Sequence, residues 1–234
     1  MVFQRYELKY ILSDIQTSKL KELMKSKMSP DAYGNSVICN IYFDTPSYLL
    51  IRNSIDKPIY KEKIRFRSYG VITNSDKAFL EIKKKYRSIV YKRRITITEK
   101  ELIERLSEKQ EVTKSQIGRE IDYCFNLYKE LEPKIFISYE REAFYGIDDS
   151  NFRMTFDKNI IWRNYDLTLT KGIYGEKILD DNMSILEVKT ATAIPLWLAK
   201  FFSENKIYKT SFSKYGTIYE KIYFERMKGE KESA

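Results

Sequence analysis

Lys61-Glu62-Lys63-Ile64-Arg65-Phe66-Arg67-Ser68-Tyr69 alternates with a period of two, placing Lys61, Lys63, Arg65 and Arg67 on one side of an extended chain and Ile64 and Phe66 on the other. Successive side chains of a β-strand point to opposite faces, so this stretch predicts a strand with one cationic and one apolar face. The same division returns along the sequence. Glu81, Lys83 and Lys85 oppose Leu80 and Ile82, and Lys92 and Arg94 oppose Tyr91, Ile95 and Ile97. Arg153, Thr155 and Asp157 oppose Phe152, Met154 and Phe156; Glu7 and Lys9 oppose Leu8 and Tyr10; Glu187 and Lys189 oppose Leu186 and Val188. Arg141 alone is ambiguous, since Ile135 and Ile137 share its parity.

Working outward, alternation predicts strands over Arg5–Leu12, Val37–Phe43, Lys61–Tyr69, Ala78–Tyr86, Val90–Ile97, Lys134–Arg141, Asn151–Lys158 and Ile185–Thr190. Helical spacing predicts Asp14–Met28 after a cap at Ser13, and Glu99–Glu108, where Thr98 and Glu101 form a capping-box pattern. Further helices are expected over Ser115–Leu131, Pro195–Asn205 and Lys214–Arg226. Pro195, Leu196, Trp197 and Leu198 should pack their helix onto the sheet or a partner. Strands in hairpins with helices between and beyond them give an α+β fold, mainly antiparallel. With 234 residues, 43% hydrophobic and 32% charged, and no solenoid-period repeat or low-complexity tract, the chain reads as one domain over 1–226 with a charged, disordered tail over 227–234.

Forty-two Lys and Arg against 33 Asp and Glu give a net charge of +9, which favours an anionic partner without choosing one. An antiparallel sheet with one solvated face is the ordinary explanation of any single amphipathic strand. A solvated face normally mixes signs, however, and here cations dominate the polar side. Two cations about 7 Å apart repel by about 2 kcal/mol at an effective dielectric of roughly 20, a cost best explained by a ligand that cancels it. An eight-stranded antiparallel barrel or tunnel with its polar, cationic faces inward and helices around it focuses that field most strongly.

The chain has no histidine, which removes Ser-His catalysis, His-ligated zinc and the commonest general base. Cys39 and Cys124 are far apart, with no secretory signal before them, and are expected to be buried free thiols. The longest apolar run, near Ile194–Phe202, is well short of the ~20 residues a membrane helix needs. A cytoplasmic protein is expected.

The ordered set Glu7-Leu8-Lys9-Tyr10, Tyr42-Phe43-Asp44-Thr45-Pro46, Lys63 to Gly70, Leu80-Glu81-Ile82-Lys83 and Tyr139 to Phe144 resembles the VTC domain. Arg153 to Asp157, Leu186-Glu187-Val188-Lys189, Pro195 to Leu198 and Ser211 to Tyr215 continue it in the same order, so the resemblance covers nearly the whole chain. The VTC domain is the polyphosphate polymerase branch of the triphosphate tunnel metalloenzymes, related to the CYTH hydrolases. The resemblance implies a tunnel whose cations grip a triphosphate, a bound Mn²⁺ or Mg²⁺, and transfer of the γ-phosphoryl of ATP to a growing polyphosphate chain. By position it implies Lys9, Arg65, Arg67, Lys83, Arg141, Arg153 and Lys214 as catalytic, phosphate-binding residues, with Glu187 as the principal metal ligand. Strand parity adds Lys63, Lys92, Arg94 and Lys189 to the substrate-binding set. Ser213, as the cap of a helix whose amides could hold phosphate, and Tyr10, as a ring able to meet adenine, complete it, with Tyr42 and Tyr69 in a similar position. Glu7 and Glu81 stand between second metal ligands and ion-pair partners. One departure from the superfamily is Arg5-Tyr6-Glu7-Leu8-Lys9, where a cation replaces the first acid of a Glu-x-Glu-x-Lys motif. Bacterial relatives often sit with membrane proteins, so peripheral association with a membrane partner is a further expectation from the resemblance; oligomeric state is left open.

Phosphoryl transfer needs alignment and charge stabilisation, which Arg, Lys and a hard metal supply. A polyphosphate acceptor attacks through an oxygen already ionised, so polymerisation needs no histidine. An inorganic tripolyphosphatase on the same fold would need a water positioned by Glu7, Glu81 or Glu187 and stands as the enzymatic alternative. A non-catalytic polyphosphate-binding module is the other. Nucleic-acid binding, which the 19 tyrosines invite, ranks below these because the rings form no regular series on the cationic faces and no RNP1 pattern is present.

Overall fold

The computed structural model describes residues 6–87, 89–108 and 115–232. In chain order the elements are β1 (Tyr6–Ser13), α1 (Asp14–Met24), β2 (Met28–Asp44), α2 (Leu49–Ile55), β3 (Tyr60–Tyr69), β4 (Lys77–Tyr86), β5 (Ile89–Thr98), α3 (Glu99–Glu108), α4 (Gln116–Tyr128), β6 (Glu132–Gly146), β7 (Arg153–Arg163), β8 (Glu176–Lys177), β9 (Met183–Thr190), α5 (Leu196–Glu204), β10 (Lys209–Thr210) and α6 (Lys214–Glu232). The fold is α+β. The strands hydrogen-bond in the order β10-β1-β9-β7-β6-β2-β3-β4-β5, with β8 added on β7. Registered pairs along this row are antiparallel, and β10 and β5 stand at its ends among the described residues.

All eight expected strands are present, and β8 and β10, two residues each, are additional. Arg5, the expected start of the first strand, lies outside the described residues. Ser13 caps α1 through a reciprocal box, accepting from the Gln16 amide at 3.3 Å while its own amide donates to Gln16 Oε1 at 3.0 Å. The expected helix end at Met28 is corrected: α1 stops at Met24, and Met28 opens β2. Pro30 disfavours a helical Ser29, and the Lys27 carbonyl accepts from the Ile147 amide at 3.0 Å. At the other end of the chain, α6 continues past 226 to Glu232, through much of the segment expected to be a tail.

The residues form two compact units. One holds the described parts of Met1–Val37, Tyr139–Ile160 and Lys177–Phe212; the other holds those of Ile38–Ser138, Ile161–Glu176 and Ser213–Ala234. In the first, Leu12, Leu20, Met24, Met154, Phe156, Leu186, Val188 and Leu198 form a buried apolar cluster between the sheet, α1 and α5. In the second, Ile64, Phe66, Leu80 and Ile82 are buried on the apolar faces of β3 and β4, so the alternation that predicts these strands also assigns their core side. Cys39 and Cys124 are buried free thiols there, pushed up by burial to about 11 and about 12. No helix among the described residues is long and apolar enough to cross a membrane.

Candidate functional site

In the second unit, strand register assembles the polar faces of β2 to β5 into one lattice. Asn40 pairs with Arg67 and Tyr42 with Arg65 across β2 and β3; Lys63 pairs with Lys83 and Arg65 with Glu81 across β3 and β4. Across β4 and β5, Glu81 faces Arg94 and Lys83 faces Lys92. Directly opposed residues share a face, so six cations, Lys63, Arg65, Arg67, Lys83, Lys92 and Arg94, share one face with a single carboxylate. Glu81 is 1% exposed. Its Oε2 accepts from Arg65 Nε at 2.7 Å and meets Arg65 Nη2 at 2.7 Å, Lys92 Nζ lies 2.6 Å from Oε1, and Arg67 Nε is 3.9 Å from Oε2. Burial alone would raise the Glu81 carboxyl, but Arg65, Arg67 and Lys92 outweigh it and hold the group down to about 2.

Two neutral side chains fix this array. Asn40, 0% exposed, donates from Nδ2 to the Ile137 carbonyl at 3.0 Å, which leaves Oδ1 to accept from Arg67 Nε at 2.7 Å. Tyr42 accepts at its hydroxyl from Arg65 Nη1 at 3.3 Å and stacks on Tyr215 at 4.9 Å between ring centroids. Burial works to raise the Tyr42 phenol, yet Arg65, Arg67 and Lys63 bring it down to about 7. A phenol lowered against its own desolvation registers a strongly positive local potential. Ser213 caps α6, accepting from the Gly216 amide at 3.2 Å, and Lys63 Nζ reaches the same hydroxyl at 3.3 Å. Lys214, the first residue of α6, stands beside it.

The first unit carries a second lattice on β1, β9 and β7. Lys9, Glu187 and Thr155 form one row across the three strands, and Glu7, Lys189 and Arg153 the next. On the other side, the next row is Ile11, Ile185 and Asp157, apolar except for the buried Asp157. Glu187 is 8% exposed and its Oε1 lies 2.7 Å from Lys189 Nζ. Desolvation pushes its carboxyl up, but Lys189, Lys9 and Arg141 together hold it well below the usual carboxylate range. Arg141 is clamped bidentately by the buried Asp157, at 2.6 Å from Nε to Oδ1 and 2.8 Å from Nη2 to Oδ2. Lys9 Nζ donates to the Phe212 carbonyl at 3.2 Å and lies 3.7 Å from Glu7.

The expected residues therefore fall into two groups. Lys63, Arg65, Arg67, Lys83, Lys92, Arg94, Ser213, Lys214 and Glu81 belong to the second unit, and Lys9, Arg141, Arg153, Lys189, Glu7 and Glu187 to the first. Tyr10 is corrected: its ring is 5% exposed and packs on Phe202 at 4.2 Å, because its parity puts it with Leu8 and Leu12 on the core side. Glu81 meets Arg65 at Oε2 and Lys92 at Oε1, which is the ion-pair alternative of its two expected roles. Arg94 turns its guanidinium over the Phe79 ring at 4.6 Å, and Tyr69 is exposed with its edge against Phe79. No cluster of three acidic or thiol side chains occurs among the described residues. Asn40, Asp157 and Thr155 were not singled out as site residues. The available signal is a polar residue on the same parity as the cations, in a strand whose other face is mainly apolar.

This topology is that of the triphosphate tunnel, CYTH-like proteins. The Hippeastrum protein HpAC1, a nominal adenylyl cyclase with a dominant triphosphatase activity, superposes with a TM-score of 0.54 at 15% identity, over 89% of this chain and 92% of its own. A nominal adenylate cyclase from Vibrio parahaemolyticus aligns at 12% identity over 93% of this chain and 99% of its own, with a TM-score of 0.48. More narrowly, the chain belongs to the VTC domain family, whose profile matches residues 4–223. No curated protein matches it.

Proposed function

We propose that this protein is a metal-dependent polyphosphate polymerase that transfers the γ-phosphoryl of ATP to a growing polyphosphate chain and releases ADP. The observation that carries the reading is the cationic lattice around Tyr42, whose phenol is drawn down to about 7 by Arg65, Arg67 and Lys63 against its burial. A field of that sign suits a polyanion with several charges close together. Lys63, Arg65, Arg67, Lys83 and Lys214 would bind phosphate oxygens in one unit, and Lys9, Arg141 and Arg153 in the other. Asn40 and Asp157 hold Arg67 and Arg141 in fixed orientations, so the positive charge is in place before the reaction and needs little reorganisation.

The residues present fit a divalent ion. Glu187 is an ionised, largely buried hard-oxygen donor with Glu7 diagonal to it across the β1–β9 pair, and Mg²⁺ or Mn²⁺ commonly takes one or two carboxylates together with substrate phosphates. When bound, such an ion would neutralise charge on the phosphate oxygens. Zinc would want His or Cys, and the cysteines are buried thiols elsewhere.

Transfer to polyphosphate is favoured over hydrolysis by the acids themselves. A water nucleophile calls for a base, and a carboxylate held at about 2, like Glu81, is a poor one. Glu187 is lowered further by its three cations. A tripolyphosphatase remains the second reading, motivated by the activity described for the Hippeastrum protein of like fold. Incubation of the purified chain with ATP and Mn²⁺ separates them: the polymerase yields ADP in step with long phosphate chains, and the hydrolase yields orthophosphate from tripolyphosphate. ADP without chain product would overturn the polymerase reading, and binding without turnover would leave a polyphosphate-binding module.

A further inference from the structure

Thr155 presents a buried hydroxyl with no use inside the protein. The residue is 9% exposed, and its Oγ1 has no hydrogen-bond partner among the described residues. A threonine hydroxyl can both donate and accept, and buried polar atoms are ordinarily paired, so an orphan of this kind calls for a specific occupant. Register supplies its address. Thr155 is directly opposite Glu187 on the neighbouring strand, which puts the two side chains on the same face with Cβ atoms about 5 Å apart. Lys9 flanks Glu187 on its other side, and Arg153 and Lys189 form the next row. Lys189 engages Glu187 at Oε1.

From this juxtaposition we infer that Thr155 is a second protein oxygen donor for the divalent cation held by Glu187, an inference that rests on the metal-dependent reading above. A neutral oxygen beside one carboxylate suits a hard cation that keeps most of its positions for phosphate and water. Arg153, Lys9 and Lys189 are cations and offer nothing to a metal, so the hydroxyl is the neutral ligand in reach of Glu187 on this part of the face.

The test is Mn²⁺ uptake by the purified full chain, followed through the free-ion electron paramagnetic resonance signal, with thermal unfolding of the metal-free proteins in parallel. Thr155→Val should weaken Mn²⁺ binding about ten-fold, the range seen when a metal's supporting ligands are removed. The same variant should unfold at an unchanged or higher temperature, because it deletes an unpaired buried hydroxyl. Thr155→Ser, which keeps the oxygen, should bind as the parent does, and Glu187→Gln should lose binding. Parent-like affinity in Thr155→Val alongside loss in Glu187→Gln would overturn the role of Thr155 and leave the metal reading standing. Parent-like affinity in Glu187→Gln, or no uptake by the parent chain, would overturn both.

Discussion

Removing the Arg65 side chain would leave the Glu81 carboxylate, 1% exposed, without the guanidinium that meets it through both Nε and Nη2, and a buried charge stripped of a partner is expensive. Arg67 and Lys92 remain, so the expected loss for Arg65→Ala is about 2–4 kcal/mol in urea unfolding, with phosphoryl transfer abolished. Adding Glu81→Gln to Arg65→Ala should recover part of the stability and none of the activity; recovery of neither would mean that Arg65 acts mainly through packing. Tyr42 offers a spectroscopic check on the same array. Its phenol is lowered from 10.0 to about 7, so the folded state favours the phenolate, and its contribution to stability is absent below about pH 7 and grows toward pH 10. Ultraviolet difference titration should show one tyrosinate forming near neutrality, missing in Tyr42→Phe. Added tripolyphosphate should move that transition to higher pH, because a bound polyanion cancels the field that lowers it. A titration indifferent to tripolyphosphate would place the phosphate site away from β2 and β3.

Among the elements, α6 begins where its cap does two tasks. The Ser213 hydroxyl accepts from the Gly216 amide and from Lys63 Nζ, so it stabilises the helix start and holds a site cation together. Ser213→Ala should cost about 1 kcal/mol in chemical denaturation and weaken tripolyphosphate binding, whereas Ser213→Asp should restore the cap yet bind phosphate worse, since it adds an anion to the cationic face. The cap was legible from Ser213 preceding a helical pattern, as was the facing of β3, β4 and β5, because parity there sets Lys63, Arg65, Arg67, Glu81, Lys83, Lys92 and Arg94 opposite Ile64, Phe66, Leu80, Ile82 and Ile95, although Glu62, Lys84 and Arg93 share the apolar parity. The first half of β2 was not legible: Pro30, Asp31, Gly34 and Asn35 lie in a largely exposed stretch with no apolar alternation to mark it. Helix α2 was missed for a related reason. Its first amides are satisfied from a distance, Asp44 accepting from Leu50 at 2.8 Å and Ile51 at 3.0 Å, while the residue before the helix, Tyr48, has a left-handed φ of 59° and no capping side chain. Orphan atoms such as Thr155 Oγ1 are invisible in sequence, because being unpaired is a property of neighbours that only the register supplies.

For the molecule as a whole, the excess of nine positive charges sets how binding should respond to its medium. Fixed cations on shared strand faces attract a polyanion over distances comparable with the Debye length, about 10 Å at 0.1 M salt and about 3 Å at 1 M. Affinity for tripolyphosphate should therefore fall at least about ten-fold between 0.05 M and 0.5 M salt, chiefly through a slower association rate. Stability should move much less, because its main sources are buried apolar faces and ion pairs already shielded from solvent, as at Glu81 and Asp157. Stopped-flow binding and urea unfolding across the same salt series separate the two responses. Parallel losses in both would mean that the cations hold the fold together through their acidic partners. Loss of binding alone is what a field kept for a phosphate ligand requires, since the repulsion among Lys63, Lys83 and Lys92 is then relieved by the ligand more than by the protein's own acids.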